Sequence, residues 1–81
     1  MVDWNHLLMA TLGHNLRALR KSKGWTQADL AKRLDVTRVT IARIELGVTM
    51  PDWSFVCKAA DEFEVSTDDL RKAHKKLAVP A

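Results

Sequence analysis

The stretch Thr26 to Glu45, TQADLAKRLDVTRVTIARIE, constrains this chain more than any other. Two apolar sets fall at helical spacing within it, Leu30, Ala31 and Leu34 and then Ile41 and Ile44. A threonine precedes each set, Thr26 and Thr37, where a hydroxyl can accept from the unpaired N–H groups of a first helical turn. Only Asp35-Val36 separates the two segments. The pattern predicts two short helices, about 27–34 and about 38–46, joined by a tight turn.

The rest of the chain must fold around that pair by packing alone. Its 81 residues make one domain. A chain this short buries only about 60% of its unfolded surface, so its core is small. Hydrophobic content of 47% and charged content of 28% place it among ordinary globular proteins. No apolar run approaches the roughly 20 residues that cross a bilayer. No basic segment followed by an apolar one opens the chain, so a secretory signal is not expected. A single cysteine, Cys57, cannot form an internal disulfide, which suits a reducing cytoplasm.

The other elements also read as helices, and no strand pattern, repeat or linker is apparent. Leu12, Leu16 and Leu19 form one stripe, with Thr11 a candidate cap and Gly24 the stop. Upstream, residues 3–10 are mildly helical, with Asp3 a second candidate cap; they either extend this first helix or form a separate short one. Trp4, Leu7 and Leu8 there are too apolar for water, so they cover the core or meet another subunit. Gly47 ends the third helix. Asp52 caps a fourth, to about Phe63 or Glu64, which buries Val56, Ala59, Ala60 and Phe63. Ser66 or Thr67 caps a fifth, anchored by Leu70, with Asp68 and Asp69 opposing its dipole favourably. The expectation is an all-α chain with an apolar extension over 1–10, a folded domain over 11–76 and a frayed tail over 77–81.

Function follows from the third helix. At about 100° per residue, Arg38, Val39, Ala42 and Arg43 span an arc of about 140°. Ile41 and Ile44 point the opposite way, into the core. The outward face thus carries two long cations separated by short side chains that let a backbone come close. Two such arginines can fork onto guanine O6 and N7, and Val39 or Thr40 can meet a thymine methyl. Helix N-termini offer N–H groups to phosphate, which places Gln27, Thr37 and Thr40 as backbone holders. Charge is distributed accordingly. Residues 17–43 hold eight Lys/Arg against two Asp, whereas 44–70 hold one Lys against seven acids. A basic half that contains the paired helices fits a polyanionic partner.

The segment LGHNLRALRKSKGWTQADLAKRLDVTRVTIARIELGVTMP, with the following residues to STDDL, resembles the DNA-binding domain of the phage-repressor/Cro-like (XRE) family of transcriptional regulators. The likeness covers residues 12–70. It rests on the TQ-x-x-LA core, on Ile41 and on the Glu45-x-Gly47 ending. It implies a compact five-helix bundle of the lambda-repressor-like type that binds palindromic operators in double-stranded DNA as a homodimer. It further implies that Arg38, Val39 and Arg43 read bases. Gln27 would contact DNA backbone or a base-reading side chain, and Arg20 would form a buried salt bridge with Glu45.

Three positions depart from that family's pattern. Asp35 stands where the turn usually has glycine, and aspartate tolerates the left-handed conformation better than most. Glu64 stands at another usual glycine position, so a strained or differently shaped helix end is expected. The loop after the third helix is the uncharged Val48-Thr49-Met50 where basic residues are usual. Phosphate contact then falls to Gln27, Thr37, Lys32, Arg33 and Lys58, and modest affinity is expected.

Other chemistries find no support. His6, His14 and His74 are far apart and share no metal-ligand spacing with Cys57. There is no glycine-rich phosphate loop, nucleophile elbow or catalytic carboxylate pair, so neither an enzyme nor a cofactor is expected. Cys57 reads as a small hydrophobe beside the fourth helix's buried face. Trp25 reads as a staple at the start of the second helix. Trp53 reads as a plug in the core or, with Phe55, as part of an interface. The competing class is a protein–protein adaptor or antitoxin-type module that uses the acidic 61–69 surface and the apolar group at Trp4, Leu7 and Leu8. The dimer surface falls either to the fifth helix with its basic tail or to the N-terminal segment.

Overall fold

The computed structural model describes residues 4–72. Five α-helices follow one another: α1 (Trp4–Ser22), α2 (Gln27–Leu34), α3 (Arg38–Glu45), α4 (Trp53–Phe63) and α5 (Thr67–Arg71). The described residues contain no strand. Asp3, His74 and the tail lie outside the described residues.

The first helix is longer than its leucine stripe suggested. It begins at Trp4 and runs unbroken through Thr11, which is therefore an interior residue and not a cap. Leu8 packs on the core, while Trp4 and Leu7 stay exposed.

The caps fall where the side chains predict. Thr26 accepts from Asp29 N–H, and Asp29 accepts from Thr26 N–H, a reciprocal capping box. The Thr26 backbone N–H holds the Asp29 carboxyl below its usual pKa. Thr37 and Asp52 cap α3 and α4, and Ser66 forms a second capping box with Asp69. Asp68 instead pairs with Arg71, which lowers its pKa.

Helices α2, α3 and α4 end in one shared pattern. A residue in the left-handed region donates back to the third residue before it, and the next N–H donates to the fifth before itself. Asp35, Gly47 and Glu64 occupy that position, at φ 57°, 76° and 57°. Glu64 thus adopts the shape a glycine would, with Val65 N–H closing onto Ala60 O at 3.0 Å. The helix end expected to be differently shaped is regular, and the strain is confined to one backbone conformation.

The core is a single apolar cluster. Leu12, Leu16 and Leu19 of α1 meet Leu30 and Leu34 of α2, Ile41 and Ile44 of α3, Val56 and Phe63 of α4, and Leu70 of α5. Trp25 lies half-buried against this cluster and stacks on Phe63, with centroids 5.4 Å apart, so it ties the start of α2 to α4. Trp53 does not plug the core: it is 61% exposed, because it sits at the outward first position of α4 while Phe55 and Val56 turn inward. Cys57 is half-buried.

Two interior features of α1 carry no pattern in the sequence. Gly13 is buried where α3 ends, and a Cβ there would lie 2.2 Å from Ile44 O and 2.9 Å from Glu45 O. Asn15 is fully buried and donates to Leu70 O at 2.9 Å and Lys72 O at 2.6 Å, fastening the end of α5 to α1.

Gly13→Ala is expected to destabilise the fold by about 3 kcal/mol, because both colliding atoms are backbone. Urea denaturation measures it; a loss below about 1 kcal/mol would contradict the close approach. Glu64→Gly is expected to raise stability by about 1 kcal/mol by removing the left-handed strain, read as a melting temperature higher by several degrees.

Candidate nucleic-acid interface

The outward face of α3 is set by what holds its inward face. Ile41 and Ile44 are 0% and 2% exposed. Rotation of the helix about its axis is thereby excluded, and Arg38, Val39 and Arg43 are left on the surface. Val39 is 54% exposed between the two cations. The wheel derived from spacing and the observed burial agree.

A chain of hydrogen bonds runs from the core to this face. Arg20 Nε donates to Glu45 Oε2 at 2.7 Å, and Arg20 Nη2 donates to Oε1 at 3.0 Å. The remaining guanidinium nitrogen, Nη1, donates to Trp25 O at 2.7 Å. Both side chains are buried, at 10% and 3% exposure. Glu45 Oε1 also accepts from Gln27 Nε2 at 3.1 Å, and Gln27 Oε1 accepts from Arg38 Nη1 at 3.1 Å. The orientation of the Gln27 amide is forced. An ionised carboxylate only accepts and a guanidinium only donates, so the NH2 must face Glu45 and the carbonyl must face Arg38.

Gln27 therefore differs from its simplest sequence reading. Its side-chain amide is held between Glu45 and Arg38, and it is the backbone N–H at the start of α2 that remains for an anion. Thr37 Oγ1 accepts from Thr40 N–H at 3.2 Å and lies 3.0 Å from Thr40 Oγ1. That mutual contact uses one hydroxyl proton of the pair and leaves the other for an outside acceptor. Lys32 and Lys58 are exposed.

Arg33 is placed elsewhere than the sequence suggested. Its guanidinium lies 4.0 Å from the centre of the Trp25 ring, and Nη1 donates to Glu62 at 2.8 Å. The cation is drawn toward α4 by a ring and a carboxylate that only the folded chain brings beside it.

Beyond α3 the chain folds back sharply. Gly47 N–H donates to Ile44 O and Val48 N–H donates to Arg43 O, which returns the loop along the helix's last turn. Gly47 packs on α1 at Met9 and Ala10. Leu46, Val48 and Met50 are exposed, so this loop offers apolar side chains. Thr49 points back, and its Oγ1 accepts from Arg43 Nε at 3.2 Å. Spacing alone gave no signal for that contact. Among the described residues no His, Cys, Asp and Glu groups could hold a metal ion, and no helix is long and apolar enough to cross a membrane.

Replacing Glu45 with alanine would strand Arg20 in the interior without its carboxylate. Glu45→Ala is expected to cost about 3–5 kcal/mol, enough to unfold or badly weaken a domain of this size. Melting within a few degrees of the parent chain would contradict this.

Comparison with known proteins agrees with this geometry. A family model described as a helix-turn-helix domain matches residues 11–73. The chain is 36% identical over 63 residues to YazB of Bacillus subtilis, described as an uncharacterized HTH-type transcriptional regulator, covering 78% of this chain and 91% of that protein. It is 36% identical over 65 residues to YqaE of the same organism, described in the same terms, covering 80% of this chain and 56% of that one. The chain thus spans nearly all of the first relative and about half of the second. Among solved structures, a LexA SOS-response transcriptional repressor from Eubacterium rectale superposes with a TM-score of 0.77 at 27% identity, over 91% of this chain and 78% of that one. An HTH_3 family transcriptional regulator from Vibrio cholerae shares the fold, with a TM-score of 0.75 at 24% identity over 82% of this chain and 37% of that one. With its capped α2 and α3, its tight turn at Asp35 and its buried Arg20–Glu45 pair, the chain belongs to the helix-turn-helix family of transcriptional regulators.

Proposed function

We propose that this protein is a sequence-specific DNA-binding transcriptional regulator, in the cytoplasm, that lays α3 in the major groove. One observation carries the reading: the outward face of α3 presents two arginines, each already hydrogen-bonded to a neighbour, with only Val39 and Ala42 between them. Small side chains there let the helix sit deep, and the guanidinium forks reach base edges. The names of the relatives, HTH-type transcriptional regulators, support the same function.

In this proposal Arg38, Val39 and Arg43 meet bases. The Gln27 backbone N–H, Thr37, Thr40 and Lys32 hold phosphates and set the register. Arg33 is left out, because Glu62 and Trp25 already hold it. The protein acts by occupancy as a repressor and carries out no catalysis. It binds as a homodimer on a palindromic operator, one α3 per half-site, with half-sites about one helical turn apart. The uncharged loop after α3 keeps affinity modest.

Selection of bound sequences from random double-stranded DNA tests this directly. Arg43→Ala is expected to weaken operator binding by about 1–3 kcal/mol and to relax preference at one base pair. Lys32→Ala is expected to weaken all sequences alike and to lower the salt slope by about 1. Unchanged operator discrimination by Arg43→Ala would refute the base-reading assignment. Absence of binding to any DNA at low salt would instead favour a protein–protein adaptor, for which the exposed Trp4 and Trp53 would be the first surfaces to examine.

A further inference from the structure

The two arginines of α3 are held by different atoms, and this difference has a consequence for what each can read. Arg38 is held through Nη1 by Gln27. That bond does not use its Nε and Nη2 edge. Arg43 is held through Nε by Thr49. That bond does not use its Nη1 and Nη2 edge. A guanidinium has five N–H donors in a rigid planar fork, so fixing one nitrogen selects which pair remains for a bidentate contact.

Thr49 is suited to fix that orientation. Its backbone is placed by the folded-back loop, where Val48 N–H closes onto Arg43 O at 3.1 Å and Gly47 takes φ 76°. Its side chain is β-branched and half-buried, so few rotamers are open to it. The flanking Val48 and Met50 side chains offer Arg43 no oxygen. The threonine hydroxyl is thus a fixed acceptor at the edge of the candidate interface, on a loop that itself carries no charge.

We infer that Thr49 is a positioning residue for base reading: by accepting from Arg43 Nε it presents the terminal Nη1 and Nη2 pair end-on to one guanine. The inference rests on the proposed reading that Arg43 meets a base. Thr49 acts through Arg43, so its loss affects one base pair and leaves the remainder of the operator preference intact.

The test uses the full 81-residue chain and its Thr49→Val, Thr49→Ser and Arg43→Ala variants. Each is taken through selection from random duplex DNA and then titrated on the selected operator and its single-base-pair variants at one salt concentration. Thr49→Val preserves shape and removes only the acceptor. It is expected to reduce discrimination about fivefold, a hydrogen bond's typical net worth, at the same base pair that Arg43→Ala relaxes. Preference elsewhere and the melting temperature are expected to stay unchanged. Thr49→Ser is expected to restore the preference. The inference is overturned if Thr49→Val keeps the parent preference while Arg43→Ala loses it, or if Thr49→Val weakens all sequences equally. If Arg43→Ala also keeps the parent preference, the base-reading proposal and this inference fall together.

Discussion

Helix α3 comes so close to α1 at Gly13 that no side chain fits between them. That approach brings Glu45 to the surface of α1. Arg20 lies two turns further along α1, and helical side chains lean back toward the N-terminus, so its guanidinium comes over the same crossing. The carboxylate then receives three N–H donors, two from Arg20 and one from Gln27. A buried pair of this kind need not make the fold more stable than an apolar replacement would. What it supplies is geometry. It fixes the crossing of α1 and α3, it ties the start of α2 to both, and through the forced Gln27 amide it settles where Arg38 begins its reach.

The same logic explains why the surface arginines are not loose. A free arginine carries about 2 kcal/mol of rotamer entropy, some of which is lost on binding. Gln27 and Thr49 restrain Arg38 and Arg43 before any ligand arrives. Each restraint is neutral and leaves the cation its charge, whereas a carboxylate in either position would compete with phosphate or base. Arg33 shows the contrast: Glu62 pairs with it, and it faces α4.

Most of the helical scaffold was legible in the sequence because its signals are local. A cap needs a hydroxyl or carboxylate and an N–H three residues on, and Thr26, Thr37, Asp52 and Ser66 all satisfy it. Apolar periodicity gave the inward faces of α2, α3 and α4 for the same reason. Gly13, Asn15 and Thr49 were not legible, since their roles depend on backbone atoms more than twenty residues away or on a loop that doubles back. Of the two readings of Trp53, the core plug fails because its place at the first turn of α4 turns the ring outward. The contacts of Arg33 were not legible because helical spacing does not show that the Trp25 ring before α2 and the Glu62 carboxylate of α4 lie beside it. Of the family likeness, the Arg20–Glu45 pair and the link from Gln27 to Arg38 are present in the fold.

The uncharged loop after α3 shifts the balance between affinity and discrimination. Attraction to DNA that ignores sequence grows with the number of cations set against phosphates. Here the loop residues Val48, Thr49 and Met50 carry no charge, and Arg33 is paired with Glu62. Fewer phosphate contacts weaken binding to every sequence, operator and competitor alike. Base contacts weaken only when the sequence is wrong. On the proposed reading, a chain that gives up charge at the loop while holding two arginines in place on the outward face of α3 would keep its ratio of specific to non-specific binding as its absolute affinity falls. That ratio decides occupancy among a genome's competing sites. If the two guanidiniums read bases as proposed, that ratio would depend on how they are aimed, and a neutral threonine on the loop would then matter more than a lysine in the same position.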